Sequence, residues 1–285
     1  MIDAEKGNYP VALMCRVMNV SRSGLYAWRA RPRICATEQE NARLVPEIRA
    51  IHSASRETYG SPRVHAALQR RGIRISRKRA ARLMRRAELR GRLRRRFCKT
   101  TDSNHSLPVA PNELDRQFKV DSPDRVWASD ITYIPLAAGW CYLAVVIDLH
   151  SRSVVGWSLA DNMRTELIED ALRVALGSRV PELGCLHHSD RGSQYASASY
   201  RELCTSNGMT ISMSRRGNCY DNAVVESFFG TLKQELVHDA RWATIEEARA
   251  ALHDFIEVFY NRQRLHSSLE YRTPAEVDRE ATKVA

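Results

Sequence analysis

The stretches RVWASDITYIPL (residues 125–136) and WCYLAVVIDLHSRSVVGWSL (residues 140–159) are rich in β-branched and aromatic residues and are interrupted by turn formers. That composition predicts three adjoining strands. Working outward, TELIEDALRVALGSR (165–179) has the apolar spacing of an amphipathic helix opened by Thr165, and CLHHSDRGSQY (185–195) begins as a short strand. SASYRELCTSNGM (197–209) reads as a helix ending at Gly208, and TISMS (210–214) as a short strand. CYDNAVVESFFGTLKQEL (219–236) places Val225, Phe229, Leu232 and Leu236 at helical spacing, with Asn222, Glu226, Gly230 and Lys233 along another face. Three strands followed by alternating helices and strands predict an α/β class, a mixed five-stranded sheet with flanking helices.

The residues upstream have a different character. Residues 1–105 carry 25 Lys and Arg against 8 Asp and Glu, whereas residues 106–285 carry 19 against 25. A basic front on a mildly acidic back indicates a polyanion-binding module attached to something else. Residues 10–30 have the spacing of two short helices, broken at Asn19 and Val20, with Ser21 as a cap for the second. Residues 41–54 form a further helical pattern. YGSPRVHAALQRRGI (59–73) starts another, with Ser61 as cap and Pro62 in the first helical position. ISRKRAARLMRRAEL (75–89) has Ser76 as cap and Ala80, Leu83, Met84 and Ala87 as its apolar face. Arg77, Lys78, Arg79 and Arg82 dominate the rest of that helix, which suits a nucleic-acid groove and its flanking phosphates. Residues 90–99 are nearly all basic, and the polar, proline-containing run that follows reads as a linker. The expected organisation is a helix-turn-helix segment over 1–40, a second basic helical unit over 41–99, a linker over 100–118 and an α/β unit over 119–285.

Other classes are disfavoured. No apolar run approaches the roughly 18 residues of a membrane span, and the N-terminus lacks the basic start and apolar core of a signal peptide. The seven cysteines include no CxxC pair and no combination with zinc-ligand spacing. Reduced thiols in a cytoplasmic protein are the expectation.

Three carboxylates stand at chemically informative places. Asp130 is inside the first strand, Asp190 lies just beyond a strand end, and Glu226 is on the helix of 219–236. Fifty-nine residues separate the first two and 35 separate Asp190 from Glu226. Together they suggest a site of oxygen ligands, the type that selects Mg²⁺ or Mn²⁺. Two such ions about 4 Å apart serve phosphodiester cleavage. Asp148, at the end of an apolar strand, is the best decoy, with a turn role beside Ser151 or Arg152, and Asp221 is another. Asn222 has two readings, a DNA contact or a helix cap. Lys233, seven residues past Glu226, lies two turns along the same face, about 10 Å away, within reach of a phosphate beside the metals.

WASDITY, HHSDRGSQY and RRGNCYDNAVVESFFGTLKQEL resemble the three catalytic blocks of DDE transposases in the retroviral-integrase superfamily, most closely the second-reading-frame product of the insertion-sequence-three family. YNRQRLHSSLEYRTPAEV (260–277) resembles that family's C-terminal block, and CRVMNVSRSGLYAWRAR and YGSPRVHAAL resemble its N-terminal ones. The resemblance implies an RNase H-like integrase core with a C-terminal helical extension. It also implies binding of double-stranded DNA at the element's terminal inverted repeats, and Mg²⁺-dependent cleavage and strand transfer into target DNA. Asp130, Asp190 and Glu226 are then the catalytic metal ligands, and Lys233 the basic residue such enzymes carry seven positions beyond the glutamate. It further implies at least a homodimer on DNA, and an upstream-frame protein or a frameshift fusion as partner. The competing readings are a non-catalytic DNA-binding regulator and a nuclease that cuts without joining. The presence of all three acids and Lys233 counts against the regulator.

Overall fold

The computed structural model describes residues 2–30, 36–92, 108–215 and 219–284. The basic run over 93–99 and the first part of the expected linker lie outside the described residues.

Three short helices open the chain: α1 (Ile2–Glu5), α2 (Val11–Val17) and α3 (Arg22–Ala30). The break between the last two falls at Asn19, in the left-handed region at φ 52°. The Ser21 hydroxyl accepts from the Gly24 amide, the expected cap.

A second helical unit follows, α4 (Ala36–Ala54), α5 (Ser61–Arg70) and α6 (Arg77–Arg86). α4 starts earlier than its apolar pattern and holds Pro46 in its interior. Two local expectations divide at the next helices. Ser61 is not a cap but the first helical residue of α5, and Gly60 occupies the cap position without a side-chain bond. Ser76 does cap α6, accepting from the Arg79 amide at 3.2 Å. Ala80, Leu83 and Met84 are buried beneath α6, as their spacing requires.

The sheet comprises β1 (Val126–Leu136), β2 (Gly139–Asp148), β3 (Val154–Ala160), β4 (Leu186–Ser189) and β5 (Thr210–Met213), in the order β3-β2-β1-β4-β5. β1, β2 and β3 form an antiparallel meander, and β4 joins β1 in parallel through α7 (Thr165–Ser178). A crossover of this length is what parallel pairing demands. α8 (Ala198–Ser206), capped by Ser197, connects β4 to its parallel neighbour β5. The chain is therefore the expected mixed five-stranded α/β sheet with flanking helices.

One face of the sheet packs Trp127, Ala144 and Val155 against Leu167, Ile168, Ala171 and Leu172 of α7 and Tyr200 and Cys204 of α8. Gly156 allows the close approach there: a Cβ would stand 2.3 Å from the Ala171 carbonyl oxygen and 2.6 Å from the Ala175 amide. The other face is covered by α9 (Ala223–Glu235) and α10 (Ile245–His253). α10 runs on into a π-helical stretch over Asp254–Tyr260, and α11 (Pro274–Val284) ends the described chain.

The apolar cluster on that face is continuous with the second helical unit. It joins Ile134, Phe228 and Phe259 to Leu44, Ile48, Leu68 and Leu83. Polar ties reinforce the junction. Arg56 pairs with Asp254 at 2.6 Å, and the Tyr59 hydroxyl accepts from the Leu265 amide at 2.7 Å. The same C-terminal block laces the outer edge of the sheet. Asn261 bonds both backbone groups of Val154 at 3.0 Å, and Arg249 donates to the Leu159 carbonyl at 2.8 Å. Among the described residues no helix is long and apolar enough to cross a membrane.

Candidate active site

The parallel register brings the first two acids together. Ser129 of β1 pairs with Ser189, the last residue of β4, so Asp130 is the next residue along β1 and Asp190 the first past the end of its neighbour, on strands that run about 4.8 Å apart. Asp190 sits where β4 gives way to a turn. The Gly192 amide donates to its Oδ1 at 2.8 Å, and a Cβ on Gly192 would come to 3.1 Å from that oxygen. Asp130 accepts from the Ile131 amide at 2.8 Å.

The third acid arrives on α9. Asn222, just before that helix, donates from Nδ2 to the Ser129 carbonyl at 3.1 Å, tying the start of α9 to the strand beside Asp130. Asn222 makes no cap bond, and its Oδ1 is buried without a partner among the described residues. Glu226 follows one turn on, close enough for its charge to act on Asp130, and Lys233 lies two turns further along the helix.

The neighbouring charges act on Asp130. Burial, and next the charge of Asp190, push the Asp130 carboxyl well above the usual carboxylate range. Glu226 adds to the push, while the Ile131 amide and Lys233 oppose it. Burial pushes the Lys233 ammonium down, against the pull of Asp130. Tyr195 is buried beside both aspartates, and its hydroxyl has no hydrogen-bond partner among the described residues. The three acids share one electrostatic neighbourhood. Among the described residues, however, no three His, Cys, Asp or Glu side chains stand as a ready metal-binding group.

The residues around Asp190 set its position. His187 bonds Tyr200 Oη at 2.6 Å, and His188 lies between Ser212 Oγ at 2.9 Å and Ser214 Oγ at 3.1 Å. Burial holds the His187 imidazole down to about 3 and that of His188 to about 4, so both are neutral. Arg191 donates to the Ser214 carbonyl, and Gln194 donates to that of Met163 at 3.0 Å.

Both decoys have structural roles. Asp148 accepts from the Ser151 amide and hydroxyl at 2.7 Å, the expected turn bond. Asp221 is buried, which works to raise its carboxyl. Arg215, together with Arg116, nevertheless holds it down to about 2. These bonds, with one from Asn112 at 2.9 Å, clamp the segment leading into α9. Sequence reasoning missed this clamp: Arg215 is six residues from Asp221, but Arg116 and Asn112 lie 105 and 109 residues from it.

On α6, Arg77, Lys78 and Arg82 are exposed. Arg79 is turned inward to Asn41 Oδ1, at 3.0 and 2.8 Å, and to Glu40 at 2.8 Å.

The sequence matches known families over these same regions. An "Integrase core domain" model matches residues 120–219, a second of that description matches 207–274, and an "HTH-like domain" model matches 38–97. The chain is 45% identical over 262 residues to the "Insertion element IS600 uncharacterized 31 kDa protein" of Shigella sonnei, covering 92% of this chain and 96% of that one. It is 40% identical over 267 residues to the "Transposase InsF for insertion sequence IS3A" of Escherichia coli (strain K12), covering 93% of each. This chain belongs to the IS3 family of insertion-sequence transposases. Among solved structures, the HTLV-2 integrase catalytic core domain in complex with magnesium aligns with a TM-score of 0.43 at 20% identity, covering 55% of this chain and 98% of that one. In this IS3-family member the helix-turn-helix-like unit spans α4 to α6, and the integrase core holds the acid cluster.

Proposed function

We propose that this protein cleaves and joins DNA at the ends of its insertion sequence, using Asp130, Asp190 and Glu226 to hold Mg²⁺. The observation that supports the reading is the pairing of β1 with β4 up to the residues before Asp130 and Asp190, with Asn222 tying the start of α9, the helix of Glu226 and Lys233, to the same strand. A carboxylate whose ionisation is hindered by burial and by neighbouring acids, as that of Asp130 is, is suited to a hard divalent cation, which stabilises its charged form. The Tyr195 hydroxyl, without a hydrogen-bond partner among the described residues, fits a site that takes a further polar occupant. The chemistry therefore fits two magnesium ions, with manganese as a substitute. Bound there, the metal supplies activation of a water or hydroxyl nucleophile and neutralisation of charge at the phosphate.

The chain's own residues do the rest. Lys233 approaches a phosphate next to the acids. Gly230, between Glu226 and Lys233, keeps the helix surface low for a passing backbone. The exposed Arg77, Lys78 and Arg82 of α6 hold duplex phosphates. A first cut leaves a 3′-hydroxyl, and that hydroxyl attacks another phosphodiester. One ester bond breaks as another forms, so no nucleotide energy source is consumed. Two ends must be paired, which calls for at least two copies on DNA.

The test is a labelled duplex carrying an element end, incubated with protein and Mg²⁺. Asp130→Asn is expected to abolish nicking and joining, keep DNA binding, and lose the rise in melting temperature that Mg²⁺ gives the unsubstituted chain. Nicking at the normal rate by folded Asp130→Asn protein would remove that residue from the site.

A further inference from the structure

α9 presents a second surface beside the acid face. With about 100° between successive residues, Ala223, Ser227 and Gln234 fall roughly a quarter-turn round the axis from Glu226 and Lys233. This flank walls a groove of about 500 Å³. Arg63 of α5 forms another side, and Arg264 and His266 of the 260–268 segment a third, with Arg92 and Arg152 completing the lining.

The charges of the groove do not balance. Among the described residues it holds four arginines and one carboxylate, Glu235. That carboxylate is taken up by Arg264, through bonds of 2.9 and 2.7 Å. Arg92 pairs with Asp239 at 2.6 Å, outside the lining. Arg63 donates its Nε to the Leu265 carbonyl at 2.9 Å, and Arg152 gives Nη2 to the Phe118 carbonyl at 3.0 Å. Two polar atoms are then left buried with no hydrogen-bond partner among the described residues: Arg152 Nη1 and His266 Nε2, the latter on a residue only 7% exposed. Leaving such groups unmatched is costly. Burial also disfavours the charged forms of Arg63, Arg152 and His266, and the charge of Arg264 adds to this for Arg63 and His266. A single oxyanion relieves the imbalance, because guanidinium forks match its geometry.

We propose that this groove binds a backbone phosphate of the DNA strand that crosses α9 on its way from the acid cluster. The proposal rests on DNA being the substrate, as argued above. It adds a contact apart from both the acids and α6, and it assigns a role to the C-terminal block. Free phosphate offers the same oxyanion, so the experiment must separate the two sources.

Binding of a labelled element-end duplex to the full chain, in EDTA, is measured by anisotropy from about 50 to 200 mM salt. Chemistry is thereby switched off, and only binding is read. Arg63→Gln removes a lining charge. Thr231→Glu places a carboxylate on the groove wall without touching the core, and decides the matter should Arg63→Gln misfold, since Arg63 also holds Leu265. Each folded variant is expected to weaken binding by about three- to tenfold and to flatten the salt slope by about one. Inorganic phosphate is expected to raise the melting temperature of the unsubstituted chain but not that of Thr231→Glu. Wild-type affinity and slope in folded Thr231→Glu would overturn the proposal. A phosphate shift with unchanged DNA binding would assign the groove to free phosphate and overturn it equally. Failure of the unsubstituted chain to bind DNA would instead sink the functional reading itself.

Discussion

The ion pair at the end of α9 gives the most quantitative prediction. Glu235 and Arg264 have side chains 6% and 5% exposed, joined by two hydrogen bonds. Their mutual attraction offsets the cost of taking both charges out of water only while both are present. Arg264→Met leaves a carboxylate sealed under the C-terminal block, at a cost of about 3–5 kcal/mol. Glu235→Met leaves Arg264 charged and facing Arg63, at a similar cost. The double variant has no charge to strand. It is expected within about 1 kcal/mol of the unsubstituted chain, and thus far more stable than the sum of the single losses. Equilibrium urea denaturation of the four proteins, followed by circular dichroism with comparable m-values, closes the cycle. Single losses below about 1 kcal/mol, or simple additivity, would show that the pair is solvated and would refute the reasoning.

Two further predictions follow from buried groups. His187 and His188 are kept neutral in the folded chain, whereas the unfolded chain protonates them near 6.5. Their contribution to stability is therefore complete above about pH 6.5 and is lost as pH falls toward 4, on the order of 3 kcal/mol for His188. Melting temperatures at about pH 7 and pH 5 check this, and His188→Gln should flatten the dependence; a profile already flat in the unsubstituted chain would contradict it. Gly156→Ala drives a methyl group into the Ala171 carbonyl and is expected to cost at least about 1–3 kcal/mol by denaturation. Adding Ala175→Gly should recover little, because the clashing carbonyl remains, and a full rescue would show that α7 shifts readily.

Much of the fold is legible in residue patterns because its elements are locally determined. The α6 cap at Ser76 and the alternation of helices and strands after residue 160 need no distant partner to be read. Asp148 is legible for the same reason, since Ser151 lies three residues away. The acid cluster is legible only in part. Their places in the elements and the family resemblance single out Asp130, Asp190 and Glu226, but what brings their elements side by side is the parallel pairing of β1 with β4 and Asn222 reaching Ser129. Neither leaves a periodic trace. Asn222 illustrates the limit. A helix cap is the local use of an asparagine in that position, and a bond to a strand 93 residues earlier displaced it. The bonds of Asp221 to Arg116 and of Glu235 to Arg264 were hidden likewise, because a charge pattern does not say which opposite charge is near in space.

The lacing of β3 bears on assembly. An outer strand ordinarily offers a row of amide and carbonyl groups on which another chain can build. Here Asn261 occupies both such groups of Val154, and Arg249 takes the oxygen of Leu159. A neighbour's strand that extended the sheet across β3 would first have to displace these side chains from both ends of that border.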